Sequence, residues 1–328
     1  LGVRCFFVIS GFLITHLLIQ EARVTGSISL KAFYIRRTFR IFPAFYVFIL
    51  SVAVLSAVGI VTVRSPDLMY AATYTINFIS QKSWVVGHAW SLAVEEQFYL
   101  LWPLGIVALG WRRAQRVAWG AICLAPLFRI GAWYLLPEYR GILTKAFPTI
   151  CDTIATGCVL ACLRERLWDS PRYRGFLGSR AFILVPMLVL LSNSLASHTR
   201  PDFLLGQSVR NIGLALIIDW CLRHPLSRVG LLLNARPMVW IGTLSYSLYL
   251  WQQLFLNRSS AAVMCSFPLN IALAFLLACV SYYAVERPCL RARARFFPGA
   301  SPAAKAPERR ATISMPANRS AISNLEIA

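Results

Sequence analysis

Residues 90–103 read WSLAVEEQFYLLWP, an apolar run that carries two adjacent carboxylates, Glu95 and Glu96, about one and a half turns from its start. An ionisable group placed in a membrane-spanning helix costs roughly 3 kcal/mol on insertion scales, so it marks a pathway or a site where it occurs. At helical spacing Ser91, Glu95, Tyr99 and Trp102 share one face, and Glu96 points about 100° away. The two acids are therefore expected to have different partners. One fits a general base or a group that orients one, and the other fits a structural counter-ion for an arginine.

The rest of the chain decides whether that helix lies in lipid. Its 328 residues are 58% hydrophobic and 14% charged, with a mean hydropathy of +0.60, whereas soluble domains are about half apolar and about a quarter charged. Apolar runs occur at about 5–20, 41–63, 88–110, 117–136, 147–163, 181–197, 206–222, 238–256 and 266–286. A bilayer core needs about 20 apolar residues per helix, so these runs predict an all-α polytopic membrane protein with nine transmembrane helices. Placing the loop after the first run inside and alternating puts 24 of the 33 Lys and Arg in inside segments and 6 in outside ones. That asymmetry follows the positive-inside rule and puts the C-terminus in the cytoplasm. Counting 68–80 (LMYAATYTINFIS) as a further span would destroy it, so that stretch is expected at the outer surface or as a re-entrant segment. Residues 1–295 then form one transmembrane domain. The Ala-, Ser-, Pro- and Arg-rich segment 296–328 reads as a disordered cytoplasmic tail.

The formal net charge of +20 does not signal nucleic-acid binding, because the basic residues are dispersed in short loops rather than gathered on one polar face. The nine cysteines lie in or beside apolar runs without a CxxC pair, and Cys151, Cys158 and Cys162 read as packing rather than as a metal site. In FYIRRTFRIFPAFY (33–46), Arg36, Arg37 and Arg40 are spaced to share a helix face. They fit either a phosphate site or a topogenic basic loop facing anionic headgroups. Ser10 and Gly11 in FFVISGFLIT are small residues that permit close helix packing or constrict a substrate path. Asp152 is an intramembrane acid whose candidate partners are Arg129 and Arg210. Trp90 joins Ser10, Gly11, Ser91, Tyr99 and Asp152 as a substrate-path or structural residue. Of four histidines, His88 is the one placed to meet a substrate, just ahead of the two acids at the outer surface.

Together FFVISGFLIT (6–15), RRTFRIFPAFY (36–46), WSLAVEEQFYLLWP after GHA (87–89), SYSLYLWQQ (245–253) and SYYAVERPCLR (281–291) resemble acyltransferase family 3. The resemblance implies a bacterial inner-membrane O-acyltransferase. Such an enzyme takes an acyl group, commonly acetyl, from cytoplasmic acyl-CoA and passes it to a hydroxyl of an extracytoplasmic glycan, with no permanently bound cofactor. It assigns Arg36, Arg37 and Arg40 to the donor's phosphates and makes Glu95 and Glu96 site residues. It also implies a ten-helix fold whose first helix carries a histidine base. This sequence matches from the second helix onward, so that helix is expected to be missing and the chain alone inactive. Arg4 stands where the family usually has an acid. An ion-coupled secondary transporter using Glu95, Glu96 and Asp152 is the competing reading, against which stands the lack of an evident inverted repeat.

Overall fold

The computed structural model describes residues 1–143, 145–194, 202, 206–257, 260 and 262–297. The sequence-read tail lies outside these residues from 298 onward. Helices fill the described chain: α1 Gly2–Thr25, α2 Leu30–Ala57, α3 Ser65–Ala72, α4 Trp84–Gly87, α5 Ala89–Leu109, α6 Trp111–Leu135, α7 Arg140–Leu143, α8 Phe147–Asp169, α9 Pro171–Gly178 and α10 Leu184–Ser194. They continue with α11 Gln207–Arg223, α12 Arg228–Leu233, α13 Arg236–Phe255, α14 Leu269–Ser281 and α15 Arg287–Phe296, and a π-helical turn, Tyr282–Glu286, joins the last two. No strand occurs among the described residues.

A helix overlaps each of the nine apolar runs. Among the described residues six stretches are long and apolar enough to cross a membrane, and a seventh joins them if α9 and the Arg180–Ser194 segment, bent by 67°, form one broken span. Of the remainder, α11 has 17 residues and carries Arg210 and Asp219, and α13 is diluted by Arg236, Gln252 and Gln253. The stretch 68–80 forms the end of α3 and a three-residue 3₁₀ turn, Ile76–Phe78, both far too short to span. Local signals place the helix ends. The Ser29 hydroxyl caps α2 by accepting the Ala32 amide at 3.3 Å. Gly110 turns the chain between α5 and α6 at φ 74°, a left-handed conformation that glycine adopts without a Cβ clash.

The described residues fall into two compact units interleaved along the sequence, where the sequence alone suggested one domain. The first holds 1–28, 74–81 and 90–224, and the second holds 29–73, 82–89 and 225 onward. In the first unit α1 crosses α8 at two glycines. A Cβ on Gly11 would collide with the Ile154 carbonyl oxygen, and one on Gly157 with the Val8 carbonyl and, at 2.7 Å, the Phe12 amide. Backbone thus meets backbone, the arrangement small residues permit inside a bilayer. Around the crossing Val8, Phe12, Leu160, Val189 and Leu214 close a buried cluster with α10 and α11.

Gly11→Ala and Gly157→Ala should each destabilise the protein by about 1–3 kcal/mol through overpacking. Gly120→Ala and Gly131→Ala, helical positions with nothing within 4 Å of a new Cβ, serve as controls. Thermal unfolding in detergent should show a lowered midpoint for the first pair and none for the second. Equal midpoints in all four would remove the crossing as a close contact.

Candidate functional site

The face read from WSLAVEEQFYLLWP is the face that meets α1. The buried Ser10 hydroxyl donates to a Glu95 carboxylate oxygen, and the Tyr99 hydroxyl donates to Ser10 Oγ at 3.3 Å. About one and a half turns further along α1, Thr15 Oγ1 accepts from Trp102 Nε1 at 2.9 Å. Ser91 is buried on the same helix. Trp90 stands edge-on to Phe7 with centroids 6.1 Å apart, and the Lys145 ammonium lies 6.0 Å from its ring centre. Glu95 is 3% exposed, whereas Glu96, one residue on, is only half-buried. Gln97, which the sequence did not single out, donates to Asn77 Oδ1 and to the Tyr74 carbonyl, both at 3.1 Å.

Asp152 takes Arg129 rather than Arg210 as its partner. Arg129 Nη1 lies 2.9 Å from Asp152 Oδ1 and 2.7 Å from the Thr149 carbonyl, and both side chains are buried. Arg210 donates to the Ser192 carbonyl at 2.7 Å and pairs with Asp202. Asn211 joins the network by donating to the second Asp152 oxygen at 3.1 Å while its own carbonyl accepts from Arg4 at 3.5 Å. Arg4 also donates to Thr153 Oγ1 at 3.2 Å, so this cation joins a network whose acid is already bound to another arginine. Cys151 and Cys158 line an apolar groove of about 320 Å³ with Phe98, Trp102, Ala118 and Phe147. Among the described residues no three His, Cys, Asp or Glu side chains gather as metal ligands.

In the second unit the arginine segment lies on α2, as its spacing predicted. Arg36 and Arg40 come close enough to Arg293 of α15 to act on it electrostatically, and Phe39 packs on Phe297 with centroids 5.7 Å apart. Arg37 instead reaches back over the Phe33 ring at 5.9 Å. Arg293 had been counted only among the charges of the C-terminal segment. His88 is not at an open surface. It is buried between Phe48 and Tyr249, ring centroids 5.5 and 5.2 Å away, and its carbonyl accepts the Tyr249 hydroxyl at 3.0 Å. Aromatic packing by residues some 40 positions before it and 160 after it was not visible from its place at a helix start.

The acyltransferase domain model of family 3 matches residues 1–286. The chain belongs to acyltransferase family 3. It is similar to the Listeria monocytogenes peptidoglycan O-acetyltransferase OatA, 28% identical with 88% of this chain and 51% of that protein covered. It is also similar to O-acetyltransferase OatA of Staphylococcus aureus strain NCTC 8325, 31% identical with 88% and 52% covered. A third relative, from S. aureus strain COL and named for O-acetyl transfer, is 31% identical with 76% and 45% covered. The chain thus spans about half the length of these relatives. No solved structure matches it.

Within the family-3 domain, the buried ion pair and a carboxylate outside the membrane-spanning stretches give separate tests of the scaffold. Asp152→Ala should cost about 3–5 kcal/mol, because Arg129 is left charged in a dry site. Unfolding in detergent should show it, and a shift no larger than that of an exposed substitution would mean the pair is solvated. Asp67, in the first turn of α3 and outside the membrane-spanning stretches, is buried, which raises its pKa. The Ser83 hydroxyl and amide, 2.6 and 2.7 Å away, together with Arg64 at 3.1 Å, outweigh that and hold its carboxyl below the usual carboxylate range. A depressed pKa contributes stability that is full above the unfolded value, about 3.9, and is lost as pH falls through the folded one. Asp67→Asn should therefore reduce stability at pH 7 and flatten its loss on acidification below about pH 4. Parallel acid-unfolding curves would contradict this.

Proposed function

We propose that this chain is the membrane-embedded part of an O-acyltransferase that moves an acyl group, acetyl in the simplest case, from acyl-CoA to a hydroxyl of an extracytoplasmic glycan. The observation that carries the reading is the gathering of Arg36, Arg40 and Arg293 from two helices some 250 residues apart in sequence, within a family-3 domain. Like charges repel, so a cluster of guanidinium groups is best matched by a polyanion. Coenzyme A brings phosphate groups that such forks bind through paired, charge-assisted hydrogen bonds. The name of the Listeria relative, a peptidoglycan O-acetyltransferase, favours a peptidoglycan-like acceptor.

On this reading the arginine end of α2 and the C-terminal segment face the cytoplasm of a bacterial inner membrane, where acyl-CoA is available, and the Lys/Arg asymmetry of the sequence supports that orientation. In the transfer the acceptor hydroxyl oxygen attacks the thioester carbonyl carbon. The new C–O bond forms, the C–S bond breaks, and the electron pair leaves with the coenzyme A sulfur. The hydroxyl proton passes to a base and finally to that thiolate. Glu95, held by Ser10 with Tyr99 behind it, and Glu96 on the neighbouring face are the carboxylates available to orient or take the proton. The ion-coupling alternative is weakened because Asp152 is committed to Arg129.

Arg36→Ala and Arg40→Ala should each raise the KM for acetyl-CoA about tenfold or more, since a hydrogen bond to a charged group is worth roughly 1.5–3 kcal/mol. Arg112→Ala and Arg174→Ala, both exposed, should leave it unchanged. Acetyl transfer by membranes at matched protein levels measures this, and four equal KM values would reduce the cluster to a topogenic loop.

A further inference from the structure

Two segments matched to the family, SYSLYLWQQ and SYYAVERPCLR, have so far no part in the chemistry, yet they meet beside the arginines. Ser247 on α13 donates its hydroxyl to Glu286 Oε1. Glu286 is 1% exposed, and among the described residues its Oε2 accepts no hydrogen bond. A carboxylate buried this deeply is costly unless a charge offsets it, and the cation that acts on it is Arg40. Glu286 also closes the π turn, in which the Arg287 amide reaches back five residues to the Tyr282 carbonyl. Such insertions re-aim a side chain and recur at functional sites. Next to Ser247, the Tyr246 hydroxyl donates to the Ile41 carbonyl at 2.9 Å, one residue from Arg40. Neighbouring residues of α13 thus grip both the helix that carries the arginine and the buried carboxylate within its electrostatic reach.

We propose that Glu286, fixed by Ser247, is a positioning residue that holds the Arg40 guanidinium ready for a phosphate of the donor. The inference rests on reading Arg36 and Arg40 as donor ligands. The carboxylate opposes the repulsion from Arg36 and Arg293 that would swing Arg40 away, so the binding geometry exists before coenzyme A arrives. Pre-organisation of this kind raises affinity by lowering the ordering cost of binding.

The test is a double-mutant cycle on the full-length protein in detergent, read as the dissociation constant of coenzyme A. Arg40→Ala should weaken binding about tenfold. Glu286→Gln, which keeps an oxygen for Ser247 but removes the charge, should weaken it at least about threefold, and should weaken the Arg40→Ala protein no further. Ser247→Ala should act in the same direction as Glu286→Gln. It carries the test alone if the glutamine variant does not fold, when an unchanged constant would overturn the proposal. If Arg40→Ala weakens binding and Glu286→Gln does not, the positioning role falls and the donor reading stands. Tighter binding by Glu286→Gln would make the carboxylate a mere competitor of phosphate, and an equal loss with and without Arg40 would make it a structural residue. Either result overturns the proposal. No effect of Arg40→Ala would overturn both the proposal and the donor reading.

Discussion

In a bilayer the hydrophobic effect cannot pull one helix onto another, because lipid tails are as apolar as leucine. What joins α1 to α8 is the close approach of their backbones at Gly11 and Gly157, where neither helix tolerates a Cβ. That crossing fixes the rotation of α1 about its axis, and the polar contacts of the first unit follow from the rotation. Ser10, one residue before Gly11, faces Glu95, and Thr15, four residues after it, faces Trp102. Seven residues before it, near the start of α1, Arg4 reaches Thr153 on α8. A larger residue at either glycine would displace α1 from all three contacts at once. Ser10 and Gly11 are therefore adjacent for different reasons, one giving a hydroxyl to the site and the other giving up volume to the scaffold.

The buried charges need a separate account, because each is costly alone. Desolvating an ion costs several kcal/mol even after relaxation, so Arg129 and Asp152 are tolerated as a pair that Thr149 and Asn211 support with further hydrogen bonds. Removing one partner is far worse than never having had the pair. Both members face inward from neighbouring helices, and their geometry leaves Asp152 without the spare capacity that proton or ion coupling demands. Intramembrane acids draw attention as functional candidates, and this one is better explained as scaffold.

Much of this was legible in the sequence, and the limits have physical causes. The apolar runs and the Ser91–Glu95–Tyr99–Trp102 face follow from a single helix's period, so they could be read from local spacing. The choice between Arg129 and Arg210 for Asp152 could be narrowed to two but not made, since it depends on which helix packs beside α8. Glu286 was quoted as part of a motif without a role, because its partners lie on α13 and α2 and no local pattern links them. His88 was misjudged for the converse reason. Its place at the start of an apolar helix resembles that of a solvated histidine, and only the packing of α2 and α13 buries it. The division into two interleaved units, with α2 and α5 in different ones, has no signature in hydropathy at all.

The two clusters of charge differ in a way that separates scaffold from site. In the first unit Arg129 and Arg210 each have a carboxylate in contact, and Arg4 is accommodated by neutral oxygens. The hydrogen bonds of these three arginines run to side chains and carbonyls of other helices or of their own unit, as expected of side chains that hold helices together. In the second unit Arg36 and Arg40 lie on the helix that packs against α15, which carries Arg293, and Glu286, within electrostatic reach of Arg40, is buried while the arginines are only partly covered. Exposed ion pairs contribute at most about 1 kcal/mol to stability, so stability alone gives little reason to gather three arginines, whereas binding a polyanion gives a direct one.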